Sequence, residues 1–91
     1  GAKPMKEQER RESLEALSHN LESAQPTQEH HRDLLDRLRL EVSEALDPDY
    51  DNDYDSLRER LEESFVEFEA ENPRLGSALR QAINVLSQGG V

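Results

Sequence analysis

Residues 54–86 read YDSLRERLEESFVEFEAENPRLGSALRQAINVL. Tyr54, Leu57, Leu61, Phe65 and Phe68 step by three and four. Asn72-Pro73 interrupts, and Leu75, Leu79, Ile83 and Leu86 resume the step. That spacing puts the apolar side chains on one side of a helix. Asn is a strong N-cap, and Pro at the first helical position lacks an N–H that has no partner there anyway. The stretch predicts two amphipathic helices meeting at a tight corner, the first ending near Glu71. Upstream, Leu34, Leu38, Val42 and Ala45 form a stripe, and so do Leu14, Leu17, Leu21 and Ala24. The first helix is predicted from about Glu7 to Ser23, with Pro26 ending the pattern. Its opening, Lys6 to Ser13, has no apolar residue and is expected to be solvated or frayed. Thr27 is read as the N-cap of a second helix that runs to about Leu46. Glu29 then sits in the first turn, where a negative charge suits the helix dipole.

Asp47 to Asp53, with Pro48, has turn chemistry, and Asp51 or Asp53 is expected to cap the third helix. Gly89-Gly90 closes the fourth. Short connections favour antiparallel neighbours. The sequence therefore predicts an all-α chain: a compact bundle of four helices with antiparallel neighbours and a sharp Asn-Pro corner between the third and fourth. Residues 1–6 are read as a tag remnant or disordered start, and residues 7–91 as a single helical domain. The fourth helix stands apart. Asn72 to Val91 carry two arginines and no acid, while all 21 carboxylates lie upstream. Its apolar arc also takes in Ala78, Ala82 and Val85. It is expected to be the most buried helix, with three acidic helices around it; the alternative is that part of this arc docks a partner.

The 91 residues carry a net charge of −10, with 33% hydrophobic and 35% charged residues. Burying a large apolar side chain contributes about 1.5–3 kcal/mol, and ordering a residue costs about 1–2 kcal/mol. So few stripe residues predict a marginal monomer and make self-association a live reading. An acidic chain suits neither nucleic acid nor an anionic membrane. There is no cysteine, hence no disulfide framework or thiolate chemistry. No apolar run approaches the roughly 20 residues of a spanning helix, and no signal-peptide core appears, so a cytoplasmic protein is expected.

Three constellations bear on chemistry. The first is Asp47, Asp49, Asp51, Asp53 and Asp55, which alternate between two predicted helices. Read as a calcium loop from Asp47, they supply oxygen donors at the early alternate positions, and Asn52 falls where Gly is usual. The closing position, normally a bidentate Glu, is Arg58, and Glu59 comes one residue late. The competing reading is a solvated acidic loop that caps the third helix. The second is His30-His31. Adjacent helical residues diverge by about 100°, so the pair alone chelates poorly; His30 is expected to be exposed and His31 to sit at the stripe edge below Leu34 and Leu35. The third is carboxylate-rich helical surface. Glu three residues before His, the di-iron bundle spacing, is absent, since Ala16, Thr27 and Gln28 hold those places. Glu62, Glu63, Glu67 and Glu69 read as a solvated face. No catalytic residue, cofactor or enzyme activity is expected.

Phe68-Glu69, Asn72-Pro73-Arg74-Leu75, Ala78-Leu79, Leu86-Ser87 and Gly90-Val91 resemble the C-terminal half of a bacterial family of short acidic proteins, domain of unknown function 4404. Asn72 stands where the family pattern has His, and Gly89 where it has Met; Asn keeps the capping role. The resemblance implies a small helical cytoplasmic protein and brings no activity with it. The leading functional reading is a non-catalytic module for protein–protein interaction or self-assembly, its partner being another protein or a second copy in a homodimer. Leu40 and Val66, which point away from their stripes, and Val85 are the candidate partner contacts. Alternatives are a calcium-responsive helix–loop–helix and an acidic mimic of nucleic acid.

Overall fold

The computed structural model describes residues 5–50 and 53–89. Four helices follow one another: α1 Met5–Ser23, α2 Glu29–Ala45, α3 Tyr54–Phe68 and α4 Pro73–Gly89. No strand occurs among the described residues. The stripes form the core. Leu14, Leu17 and Leu21 of α1, Leu35, Leu38 and Val42 of α2, Leu57, Leu61 and Phe68 of α3, and Leu75, Leu79, Ala82 and Leu86 of α4 are buried together. In α2 the buried line runs through His31 and Leu35, and Leu34 sits half-buried at its edge. The opening of α1 is less solvated than its composition suggests, since Ser13 is buried and Arg10 is half-buried.

Polar contacts fix the directions. Glu41 meets Arg60 at 3.0 Å and His31 meets Glu67 at 3.3 Å, so α2 and α3 run antiparallel. Gly76 faces Glu69, and the Arg80 guanidinium lies over the Phe65 ring, which makes α3 and α4 antiparallel too. Arg39 reaches the last turn of α1, while Leu14 shares a cleft with Ala45 and Leu46. That register leaves the first turns of α1 projecting past the end of α2, against the 46–50 turn.

Each helix packs its backbone closely on two neighbours; across the diagonals α1/α3 and α2/α4 no Cα atoms come within 8 Å among the described residues, although side chains reach across, as Arg10 does over Tyr54. This corrects the expectation that three acidic helices surround α4. Small residues on its flanks (Gly76, Ala78, Ala82) let α4 approach α1 and α3 closely. The α2 seams add long polar side chains, His31, Arg39 and Glu41, beside the buried Leu35, Leu38 and Val42. The result is a rod of 47 × 22 × 20 Å.

The helix ends explain the connections. No glycine follows α1; instead Arg39 donates from Nε to the Leu21 carbonyl at 2.9 Å, and from its amino group to the Glu22 and Ala24 carbonyls at 3.4 Å each. These are acceptors that a helix end leaves without partners. The N-cap of α2 is Gln28, with no side-chain capping bond. Thr27, expected in that role, lies one residue too early, and its hydroxyl donates to Glu71 at 3.2 Å. Asp53 caps α3 by accepting from the Ser56 amide. α3 ends at Phe68, before the predicted Glu71, because the corner begins there: the Asn72 amide donates to the Phe68 carbonyl at 2.8 Å. The Asn72 side chain then accepts from the Leu75 amide at 3.2 Å, as its capping role requires. A Cβ at Gly76 would lie 3.2 Å from the Glu69 Cα, so the corner is tight enough to favour glycine.

Candidate functional site

The acidic loop is held by its own carboxylates. Asp47 accepts from the Asp49 amide at 2.9 Å in an Asx-type turn, and Asp53 caps α3. Asp49 is exposed, Asp55 lies exposed in the first turn of α3, and Asp51 falls outside the described residues. A cation here would compete with backbone amides for Asp47 and Asp53. Among the described residues, no group of three or more His, Asp or Glu side chains could hold a metal ion.

A polar cluster pins α2 to α3. The His30 side chain is 75% exposed and that of His31 only 8%, as the sequence places them. His31 Nε2 lies 3.3 Å from a Glu67 oxygen and Nδ1 lies 3.4 Å from Glu71. The His31 ring tilts against Phe68, centroids 5.1 Å apart. His30 Nε2 stands 3.8 Å from the same Glu67 oxygen. Glu67 is exposed, as the sequence suggested, yet turns its carboxylate to both imidazoles. The cluster contains a hydroxyl, a carboxylate and an imidazole, but in an order that activates nothing. Thr27 donates to the Glu71 carboxylate and not to the imidazole, so no ring nitrogen is placed to take its proton.

Further along the same seam, Glu41 is largely covered. One carboxylate oxygen lies 3.0 Å from Arg60 Nε in an ion pair, and the other is buried without a hydrogen-bond partner. Burial pushes this carboxyl above its ordinary value, against the pull of Arg60 and Arg37, and Glu44 adds to the rise.

The projecting start of α1 and the turn after α2 enclose a cleft of about 410 Å³, lined by Glu7, Arg10, Arg11, Leu14, Ala45, Leu46, Asp47, Pro48, Tyr50 and Tyr54, with Gln8 beside them. The Arg10 guanidinium carbon sits 4.2 Å from the Tyr54 ring centroid. Tyr50 and Tyr54 rings lie 5.2 Å apart and tilted, and the Tyr50 hydroxyl donates to the Asp53 carbonyl at 2.9 Å. Arg10 Nε is buried and has no hydrogen-bond partner among the described residues. Such an unpaired buried N–H costs about 1–3 kcal/mol. The other half-buried arginines differ: Arg39 holds backbone carbonyls and Asp36, and Arg58 pairs with Glu62. Periodicity gave no hint of Arg10, which lies in a stretch of α1 without apolar residues.

Leu40 is 61% exposed and Val66 72% exposed, and Val85 is half-buried. The structure does not bring the three together. Leu40 points straight out from α2, opposite Leu38. Val66 points out from α3, away from the flank that carries Arg60 and Glu67. Val85 lies on the flank of α4 turned from α3.

An antiparallel ring of four short, mostly acidic helices defines a small helical-bundle protein. Residues 11–91 match the family model of a domain of unknown function, DUF4404, and the chain belongs to that family. Neither the curated proteins nor the solved structures contain a match to it. Among the described residues, no helix is long and apolar enough to cross a membrane.

Proposed function

We propose that the chain is a non-catalytic interaction module that docks a protein with a basic surface around an apolar socket. The observation that carries this is Val66, which is 72% exposed on a helix surface where Glu62, Glu63 and Glu69 stand three or four residues away. An apolar anchor ringed by like charges suits a partner of opposite sign, with the charges steering encounter and the anchor holding it. Leu40 offers a second, separate anchor near Asp36 and Glu44. The same features weigh against a homodimer. Two copies at −10 each repel over roughly 8–10 Å at physiological salt. The exposed apolar residues are also scattered, whereas a stable interface buries about 800 Å² per partner. The composition, without cysteine and rich in carboxylate, suits a cytoplasmic setting.

Sedimentation velocity at low and high salt tests the self-assembly side, and a monomer is expected in both. Affinity capture from the source cells with wild type and with Val66→Lys tests the partner side. A basic protein retained by wild type, released by salt and lost with V66K is expected. A salt-promoted dimer broken by V66K would replace this reading with self-assembly.

A further inference from the structure

We propose that the cleft between the start of α1 and the turn after α2 binds a carboxylate carried on an aromatic or branched apolar group. Arg10 is the reason for the carboxylate. Its guanidinium stacks on the Tyr54 ring, which leaves the in-plane N–H edge for hydrogen bonding. Its Nε–H has no hydrogen-bond partner among the described residues, although the chain has 21 acidic residues and 11 basic ones. A carboxylate matches that edge in shape as well as charge. The walls explain the apolar body. Tyr50 and Tyr54 present tilted ring faces, and Leu46 and Pro48 complete an apolar side. A volume of about 410 Å³ lies within the range of small-molecule sites. Glu7 and Asp47 also line the cleft, so it selects for one carboxylate reaching Arg10 and against polyanions. The proposal is independent of the Val66 surface, which lies on the outer side of α3.

The test is amide NMR of the full chain titrated with phenylacetate, and separately with phenylacetamide, which has the same ring and no charge. Saturable shifts confined to residues 7–14, 45–50 and 53–57 are expected with the acid. The amide, and the acid on an Arg10→Gln variant, are expected to bind about tenfold more weakly or worse, the scale of a lost charged hydrogen bond. Arg74→Gln, at an exposed position outside the cleft, is expected to bind like wild type. If R10Q loses its helical circular dichroism, Arg10→Lys takes its place; it keeps the cation but not the forked edge, and weaker binding is again expected. N-acetylglycylphenylalanine, run in parallel, separates two sources of the same chemistry. Tighter binding than phenylacetate assigns the cleft to a peptide C-terminus, and equal or weaker binding to a free acid. Linear shifts that never saturate, or equal affinity for acid and amide, would overturn the proposal. So would equal affinity of R10Q and wild type.

Discussion

Alanine at His31 and alanine at His30 should have very different consequences, although the two residues are neighbours in sequence. His31 loses its tilted ring contact with Phe68, worth about 0.5–1.5 kcal/mol. It also loses its contacts with Glu67 and Glu71. Those carboxylates are 42% and 26% exposed, so each contact is screened to about 0.2–1 kcal/mol. The void left in the α2–α3 seam adds to these losses, for a total of about 2–3 kcal/mol. His30, 75% exposed and 3.8 Å from Glu67, should lose no more than about 0.5 kcal/mol. The gain in helix propensity from alanine is the same at both sites and cancels in the comparison. In a domain of this size each kcal/mol moves the melting temperature by about 4–8 °C. Thermal circular dichroism should therefore show a fall of about 10–20 °C for His31→Ala, and of about 4 °C or less for His30→Ala. His31→Leu, which restores apolar volume against Phe68, should recover roughly half of the loss. Equal melting temperatures for the two alanine variants would refute the idea that this seam is pinned by a buried imidazole.

Asn72→Ala should lose about 1 kcal/mol in urea denaturation, because the Leu75 amide loses its acceptor, while Asn72→Asp keeps that acceptor and should stay within a few tenths. Glu41 gives a pH dependence. Its carboxyl holds a proton to higher pH in the folded state than in the unfolded chain, chiefly through burial, so folding binds protons in that window. The stability it contributes is present below the ordinary value of 4.5 and is lost as pH climbs through the raised value. Glu41→Gln should flatten that decline, and paired urea titrations just above 4.5 and at neutral pH measure the difference; an unchanged slope would count against it.

Local chemistry and apolar period were readable from the residues alone. Leu14, Leu17 and Leu21 fall on one stripe and are all buried, and so are Leu75, Leu79 and Leu86. Asn72 and Asp53 act as caps because capping needs only the next three residues. What escaped were polar pairs distant in sequence. Arg39 meets the Leu21 carbonyl across 18 positions, and His31 meets Glu71 across 40. A stripe ranks apolar residues and says nothing about which charge meets which. Thr27 failed as a cap for a related reason: its hydroxyl found Glu71, 44 positions away. The central place expected for α4 failed because a wide apolar arc can serve two neighbours as well as three. For the cleft, the sequence supplied Tyr50 and Tyr54 at the edges of an acidic loop but no reason to join them to Arg10.

The offset between α1 and α2 has a structural corollary. The hollow beside Arg10 comes from one rod overshooting another, not from a gap among buried leucines. Lengthening or trimming the hairpin bend opposite it would resize the hollow while every core position stays as it is. The shape of that hollow is thus set largely apart from the packing that holds the four helices together.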